Sequence, residues 1–237
     1  MAAAVPARAA ELTVSAAASL TNAFQEIKAA CEKANPGTTI LTNFGASGAL
    51  LKQIAEGAPV DVIASADQAT MDKVVALKLV DAATRVDFAA NTLVMIVPAG
   101  SRHGIKDPKD LTGPGVEHIA IGNPDSVPAG AYARQALAST GLYDALSAKF
   151  VPASSVRQVL DYVSRGEVAA GFVYRTDALM AGDKVKIVAV MSGHDPVTYP
   201  VAVLTASGNK AGGRHFIEFL NSKEGQAVLA RYGFSRP

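Results

Sequence analysis

A strand-to-helix turn that presents a serine hydroxyl occurs twice within the first fifty residues of this chain. It confines the chain to folds in which strands and helices alternate. Leu12–Ser15 reads as a strand, Ala16–Ser19 as a tight turn and Leu20–Ala34 as a helix. The unit repeats with Thr38–Phe44 as strand, Gly45–Gly48 as turn and Ala49–Glu56 as helix. A serine at a helix start caps free backbone N–H groups, and that end of the helix carries about +0.5 of an elementary charge. Two such ends brought together make an anion site from hydroxyls and amides. The small residues of both turns let the backbone approach closely.

The alternation continues along the chain. The first helix carries Ala23, Phe24, Ile27, Cys31 and Ala34 on one stripe and stops at Asn35-Pro36-Gly37. Val60–Ala64 reads as a buried strand, Asp67 opens a helix to about Leu77, and Thr92–Val97 is the next strand. A second series follows: strand His118–Ile121, turn Gly122–Pro128, helix Ala129–Thr140 and strand Phe150–Pro152. Ser154 is expected to cap a helix whose Val156, Val159, Leu160 and Val163 face one way. Ala169–Tyr174 and Val185–Val190 are strands, Val197–Leu204 returns to the first unit, and helices close the chain near Arg214–Asn221 and Lys223–Tyr232. No linker rich in Gly, Pro and Ser divides the sequence. The pattern therefore predicts an α/β protein of two lobes, joined by chain crossings near Asn91 and Tyr199, with residues 11–90 and 200–237 in one and 91–199 in the other. Ligands of open α/β sheets sit beyond the carboxyl ends of the strands, where both serine turns fall.

Composition removes several functions. A net charge of +1 with 18% charged residues gives no basic face for nucleic acid. The longest apolar runs are of strand length, far short of a membrane span. The single cysteine, Cys31, supports neither an internal disulfide nor a Cys-rich metal site and reads as a buried small hydrophobe. His103, His118, His194 and His215 are scattered, with no pair at metal-ligand spacing, so no metal held directly by side chains and no cofactor is expected. Met1–Ala10 is alanine-rich and patternless. It reads as the disordered remnant of a removed export signal, with a disordered cytoplasmic tail as the alternative.

Five segments then carry a resemblance: Ala16–Ala23, Gly57–Asp67, Val127–Ala133, Gly171–Tyr174 and Tyr199–Val203, with Arg231–Phe234 in the tail. In order and at their spacing they resemble the periplasmic molybdate-binding proteins that serve ABC transporters. The likeness runs from about Thr13 to Phe234. The resemblance implies a two-lobe, type II periplasmic binding protein fold, each lobe a mixed, mostly parallel sheet flanked by helices, closing on one tetrahedral oxyanion in the interlobe cleft. Its ligand residues correspond here to Ser19 and Ser47, through hydroxyl and backbone N–H, to the backbone N–H groups of Ala129 and Val156, and to the phenol of Tyr174. Pro152–Arg157 lacks the acidic residues that some relatives carry before the valine, and Gly45 and Gly48 stand where some carry Ala or Ser.

The residues themselves agree with such a site. Ser15–Ala23, Phe44–Leu51 and Gly122–Ala133 contain no Lys or Arg, so a bound anion would be held by neutral dipoles. A donor-only site suits a fully ionised dianion and opposes a protonated one, whose own hydrogen would face another donor. Asp67 and Asp61 read as a helix cap and a turn holder, and Asp125 is expected to face solvent.

Other readings remain open at this point. Gly45-Ala46-Ser47-Gly48-Ala49 stops one residue short of a nucleophile elbow, which would make Ser47 the nucleophile of a hydrolase with His194 or His215 as base. A receptor for sulfate, phosphate or a carboxylated solute would share the fold, as would the effector domain of a regulator. Gly208–Gly213 has P-loop spacing but continues with Arg214-His215 where Lys and Ser or Thr are required. The expected function is a periplasmic, non-enzymatic, monomeric receptor that binds molybdate, with tungstate, and passes it to an inner-membrane ABC permease.

Overall fold

The computed structural model describes residues 10–237. Residues 1–9 of the expected N-terminal remnant lie outside the described residues. The chain runs β1 (Ala10–Ala17), a 3-10 turn (Ala18–Leu20), α1 (Thr21–Ala34), β2 (Thr38–Gly45), α2 (Ser47–Ala55), β3 (Val62–Ala64), α3 (Gln68–Ala76) and β4 (Val86–Ala90). It continues with β5 (Leu93–Pro98), β6 (Ile119–Gly122), α4 (Pro128–Ala138), α5 (Leu142–Leu146), β7 (Phe150–Ala153) and α6 (Val156–Ser164). Then come β8 (Ala170–Tyr174), α7 (Arg175–Ala181), β9 (Val185–Val190), β10 (Thr198–Val203), α8 (Lys210–Asn221) and α9 (Lys223–Arg231).

These strands form two sheets with one plan. The first has the order β2-β1-β3-β10-β4 and the second β7-β6-β8-β5-β9. In each, three neighbouring strands are parallel and the fourth runs against them. That fourth strand pairs antiparallel with the edge strand, so four of five strands share a direction while half of the pairings are antiparallel. The chain passes from the first sheet to the second between Ala90 and Leu93 and returns between Val190 and Thr198.

Helices cover both faces of the sheets, as βαβ crossovers require. On one side of the first sheet, Phe24 of α1 packs 5.8 Å from both Phe88 of β4 and Phe216 of α8. On its other side Ile54, Ile63, Met71 and Val74 form a separate small core under α2 and α3. Cys31 is buried on the α1 stripe. In the second sheet the parallel strands β6 and β8 are buried along their whole length, and α6 buries Val156, Val159, Leu160 and Val163 against them. No helix among the described residues is long and apolar enough to cross a membrane.

Several local expectations are corrected. Neither serine caps its helix: Leu20 and Ala46 precede α1 and α2, and neither makes a side-chain capping bond. The strands run on to Ala17 and Gly45, which moves Ser19 and Ser47 inside the first helical turn, where their hydroxyls leave their own helix. Ser155, not Ser154, caps α6, accepting the Gln158 N–H at 3.2 Å. Strand β4 was not expected, because Val86-Asp87-Phe88-Ala89-Ala90 is a short edge segment with an exposed, polar start.

Candidate anion site between the sheets

Ser19 follows β1, Ser47 follows β2, Ala129 follows β6, Val156 follows β7 and Tyr174 ends β8. These are the carboxyl ends of the parallel strands, and all five residues line one small cavity. Ala17, Ala18, Gly45, Ala46, Ala66, Val127 and Pro128 complete its wall. About 10 Å³ is open to the centre of a water molecule, the scale of a single small guest. Three larger hollows, of about 950, 880 and 530 Å³, share no residue with this wall; the first two lie at the amino ends of the strands and the third beside Asp67 and Tyr132.

Close backbone packing holds the helix starts in place. A Cβ on Gly130 of α4 would stand 1.9 Å from the Gly122 carbonyl oxygen, so only glycine lets α4 begin against β6. A Cβ on Gly48 would stand 2.8 Å from the Ser126 carbonyl oxygen, which accepts the Gly48 N–H at 3.0 Å across the cleft. Ser47 and Val156 are the first residues of α2 and α6, and Ala129 is the second of α4. Their N–H groups have no intrahelical acceptor, and no backbone carbonyl elsewhere among the described residues takes them.

The directions of the hydroxyl protons follow from their partners. Ser47 Oγ accepts the Ala66 N–H at 3.0 Å, which leaves its own proton for the cavity. Ser19 Oγ lies 3.1 Å from the Tyr199 hydroxyl, and a chain of bonds sets which one donates. Asn91 Oδ1 accepts the Thr92 N–H at 2.9 Å, which orients the Asn91 amide. Its Nδ2 therefore donates, to Tyr199 Oη at 3.2 Å and Thr176 Oγ1 at 2.9 Å. Ser19 Oγ is then the acceptor left for the buried Tyr199 proton among the described residues, and with Tyr199 donating the Ser19 proton is also free for the cavity. Tyr174 is fully buried and donates to the Ala66 carbonyl at 3.4 Å, a long bond from which it is easily turned. Burial pushes both the Tyr174 and the Tyr199 phenols above their ordinary range, so both remain donors at neutral pH.

Charged groups stay at the margin. Asp67 caps α3, its Oδ1 accepting Ser65 Oγ at 2.9 Å and the Thr70 N–H at 3.3 Å. Asp61 accepts the Thr13 N–H at 2.8 Å and Ser207 Oγ at 2.6 Å, tying the β1 end to the loop after β10. Asp125 is exposed and pairs with Arg134 at 3.2 Å. No histidine among the described residues hydrogen-bonds Ser47, whose hydroxyl oxygen is engaged by a backbone N–H rather than by a base. The Arg157 guanidinium points to the back of the Ser19 turn, donating to the Ser19 carbonyl and not lining the cavity.

Residues 12–235 match the family described as bacterial extracellular solute-binding protein. The chain belongs to that family. As a solute-binding protein it is 39% identical to the molybdate-binding protein ModA of Escherichia coli strain K12 over 236 residues, covering 95% of this chain and 89% of that one. The solved periplasmic molybdate-binding protein of Azotobacter vinelandii superposes with a TM-score of 0.84 at 26% identity, over 95% of this chain and 99% of that one. The sulfate-binding protein SubI of Mycobacterium tuberculosis H37Rv also reaches a TM-score of 0.84, over 96% of this chain and 87% of that one. Its identity is only 20%, so that likeness speaks for the two-lobe α/β fold alone.

Four further residues at this candidate site carry no local sequence signal for a role there. Ala66 supplies both of its backbone polar groups, N–H to Ser47 and C=O to Tyr174. Asn91 and Tyr199 were legible only as chain crossings, and Arg157 only as the neighbour of Val156. The bonds that tie Asn91, Tyr199 and Arg157 to one another or to Ser19 span 108 to 180 residues, beyond any local pattern.

Proposed function

We propose that this chain is a periplasmic receptor that captures molybdate, and tungstate with it, and delivers it to an ABC permease. The observation that carries the reading is the donor set. Two hydroxyls with their protons free, three helix-start N–H groups and one phenol face a single small cavity. Such a set holds a fully ionised tetrahedral dianion by neutral dipoles, and repels a protonated oxyanion through its unmatched hydrogen. The positive ends of α2, α4 and α6 add to it. Cavity size then separates molybdate and tungstate from the smaller sulfate. The molybdate-binding relatives support the same ligand.

Binding works by hinge closure of a monomer without cofactor or enzymatic step. Residues 11–90 with 200–237 act as one lobe and 91–199 as the other, with Ser19 and Ser47 on the first and Ala129, Val156 and Tyr174 on the second. Only the closed form brings both sets to one ion. Isothermal titration of dialysed protein with sodium molybdate, then with sulfate and phosphate, tests the reading. One-to-one binding of molybdate that sulfate does not displace is the expected result. Binding of sulfate or phosphate without molybdate would overturn the ligand. Silence with every oxyanion, together with ester hydrolysis abolished by Ser47→Ala, would replace the receptor with the serine hydrolase.

A further inference from the structure

We propose that Arg157 is a latch across the cleft, holding the two lobes closed by tying the back of the Ser19 turn to the start of α6. The proposal rests on reading the cavity as the ion site. It assigns a positioning role to a residue that does not line that cavity.

The latch has a fixed end and a free end. At the fixed end Arg157 Nε lies 2.7 Å from Oδ1 of Asp177, on α7 of the same lobe. Asp177 is wholly buried, and its other oxygen accepts the Tyr174 N–H at 3.2 Å. The Nε–Oδ1 contact is close but poorly aligned, so it counts as charge attraction and not as a hydrogen bond. The directed donors of the guanidinium are spent elsewhere. Nη2 donates to the Ser19 carbonyl at 3.2 Å and Nη1 to Asn22 Oδ1 at 2.9 Å, both on the opposite lobe. Nη1 also rests against Met180 Sδ.

This arrangement separates the two states of the cleft. A buried carboxylate cannot exchange its cation for water without large cost, so Arg157 stays with Asp177 whether the lobes are together or apart. Of the bonds that Arg157 makes, parting the lobes breaks only those to Ser19 and Asn22. Those bonds therefore exist in the closed form alone, and whatever they contribute shifts the population toward closure. Arginine suits the task because its planar fork is already organised by the ion pair when the opposite lobe arrives.

The latch also shares residues with the site. Val156 offers its N–H to the cavity and Arg157, next along the chain, crosses behind it. Ser19 faces the cavity with its hydroxyl and receives Arg157 on its carbonyl. An ion drawing on Ser19 from the front and Arg157 from behind favour the same closed geometry. Coupling of latch and ion follows from this shared turn.

A double-mutant cycle tests it, with Arg157→Gln on one lobe, Asn22→Ala on the other and both together. Molybdate affinity and release rate are measured by titration and stopped-flow, and the melting temperature without ion. Each single change is expected to raise Kd about tenfold, chiefly through faster release, and the double no more than the worse single. Fold-changes that multiply in the double, or release at the wild-type rate in Arg157→Gln, would overturn the latch. Arg157→Lys keeps the charge on Asp177 but lacks the fork, so the ligand-free melt should recover while release stays fast. Recovery of both would reduce Arg157 to a structural counter-ion. If Arg157→Gln does not fold, Asn22→Ala alone must still speed release. A wild-type chain that ignores molybdate overturns the ligand, and small-angle scattering of the ligand-free protein then judges the latch. A larger radius of gyration in Asn22→Ala supports it and an unchanged radius overturns it.

Discussion

The turns that hold Ser19 and Ser47 look alike in sequence and are used differently in the molecule. Ser47 opens α2, and its hydroxyl is tied to Ala66, a residue of the same half of the molecule. Ser19 sits in a 3-10 turn, and its hydroxyl is tied to Tyr199, where the chain returns from the second sheet. Through Tyr199 it is linked to Asn91 at the other crossing and to Thr176 beyond it. Both partners belong to the first sheet's half of the molecule, but Ala66 lies just past β3 in its interior and Tyr199 at the start of β10, beside the crossing. Equivalent strand-turn-helix units can thus present the same donor while only one of them ties its hydroxyl to a chain crossing; the other meets the opposite half through its backbone, Gly48 N–H to the Ser126 carbonyl.

The largest effect expected from this contrast is that of Ser47→Ala. It removes a hydroxyl from the proposed ion, ~1.5–3 kcal/mol of affinity for a hydrogen bond to a charged group, and leaves the buried Ala66 N–H without an acceptor. Ligand-free stability should fall by a further ~1–3 kcal/mol, as read by denaturant unfolding. Ser19→Ala should weaken binding by a similar ~1.5–3 kcal/mol but lower ligand-free stability less, because the Tyr199 hydroxyl that loses its acceptor can rotate and keeps its bond from Asn91, whereas the Ala66 N–H is fixed in direction. Equal stability losses in the two variants would break the contrast.

Gly48→Ala comes next. Its Cβ would press on the Ser126 carbonyl only where the lobes meet, so affinity should fall by ~1–3 kcal/mol while the ligand-free melt stays near that of the wild type. A lowered melt with intact affinity would show that the contact belongs to folding and not to closure.

A pH effect sharpens the hinge side. Burial, partly offset by Arg157, raises the Asp177 carboxyl from 3.8 to about 6. On acidification the folded chain therefore takes up this proton before the unfolded chain does, so the group's contribution to stability is greatest below about 3.8 and is lost as pH rises through about 6. Asp177→Asn cannot ionise, and unfolding measured across that window should move the stability difference in its favour as pH rises. Parallel curves for variant and wild type would show that Asp177 does not titrate there. The smallest effect is expected from Tyr174→Phe, under ~1 kcal/mol of affinity by titration if a water replaces the phenol. A loss as large as that of Ser47→Ala would make the phenol an equal partner of the serines.

The fold was legible wherever periodicity was strong. The α1 stripe of Ala23, Phe24, Ile27 and Cys31 is buried as its spacing requires, and β8 is buried throughout as a continuous apolar run should be. Short elements escaped. The edge strand Val86–Ala90 and the brief helices Leu142–Leu146 and Arg175–Ala181 offer too few residues to declare a period. Of the site, the five positions carried by resemblance line one cavity, but neither serine is the helix cap that its local pattern suggests. A cap is a bond to the next turn, whereas these hydroxyls meet residues 19 and 180 positions away.

By itself the sequence determined the alternation of strands and helices, the stripes each element buries, the two places where the chain crosses between sheets, and the absence of cations in the three matched turns. Those properties are local, set by what a residue's neighbours within one turn or one pleat can bury. The tertiary structure alone decided that Asn91 and Tyr199 orient the Ser19 proton, that Ala66 orients that of Ser47, and that Arg157 reaches across to the other lobe. A hydrogen bond takes its direction from both partners at once, and here the second partner stands on a segment that only folding brings near.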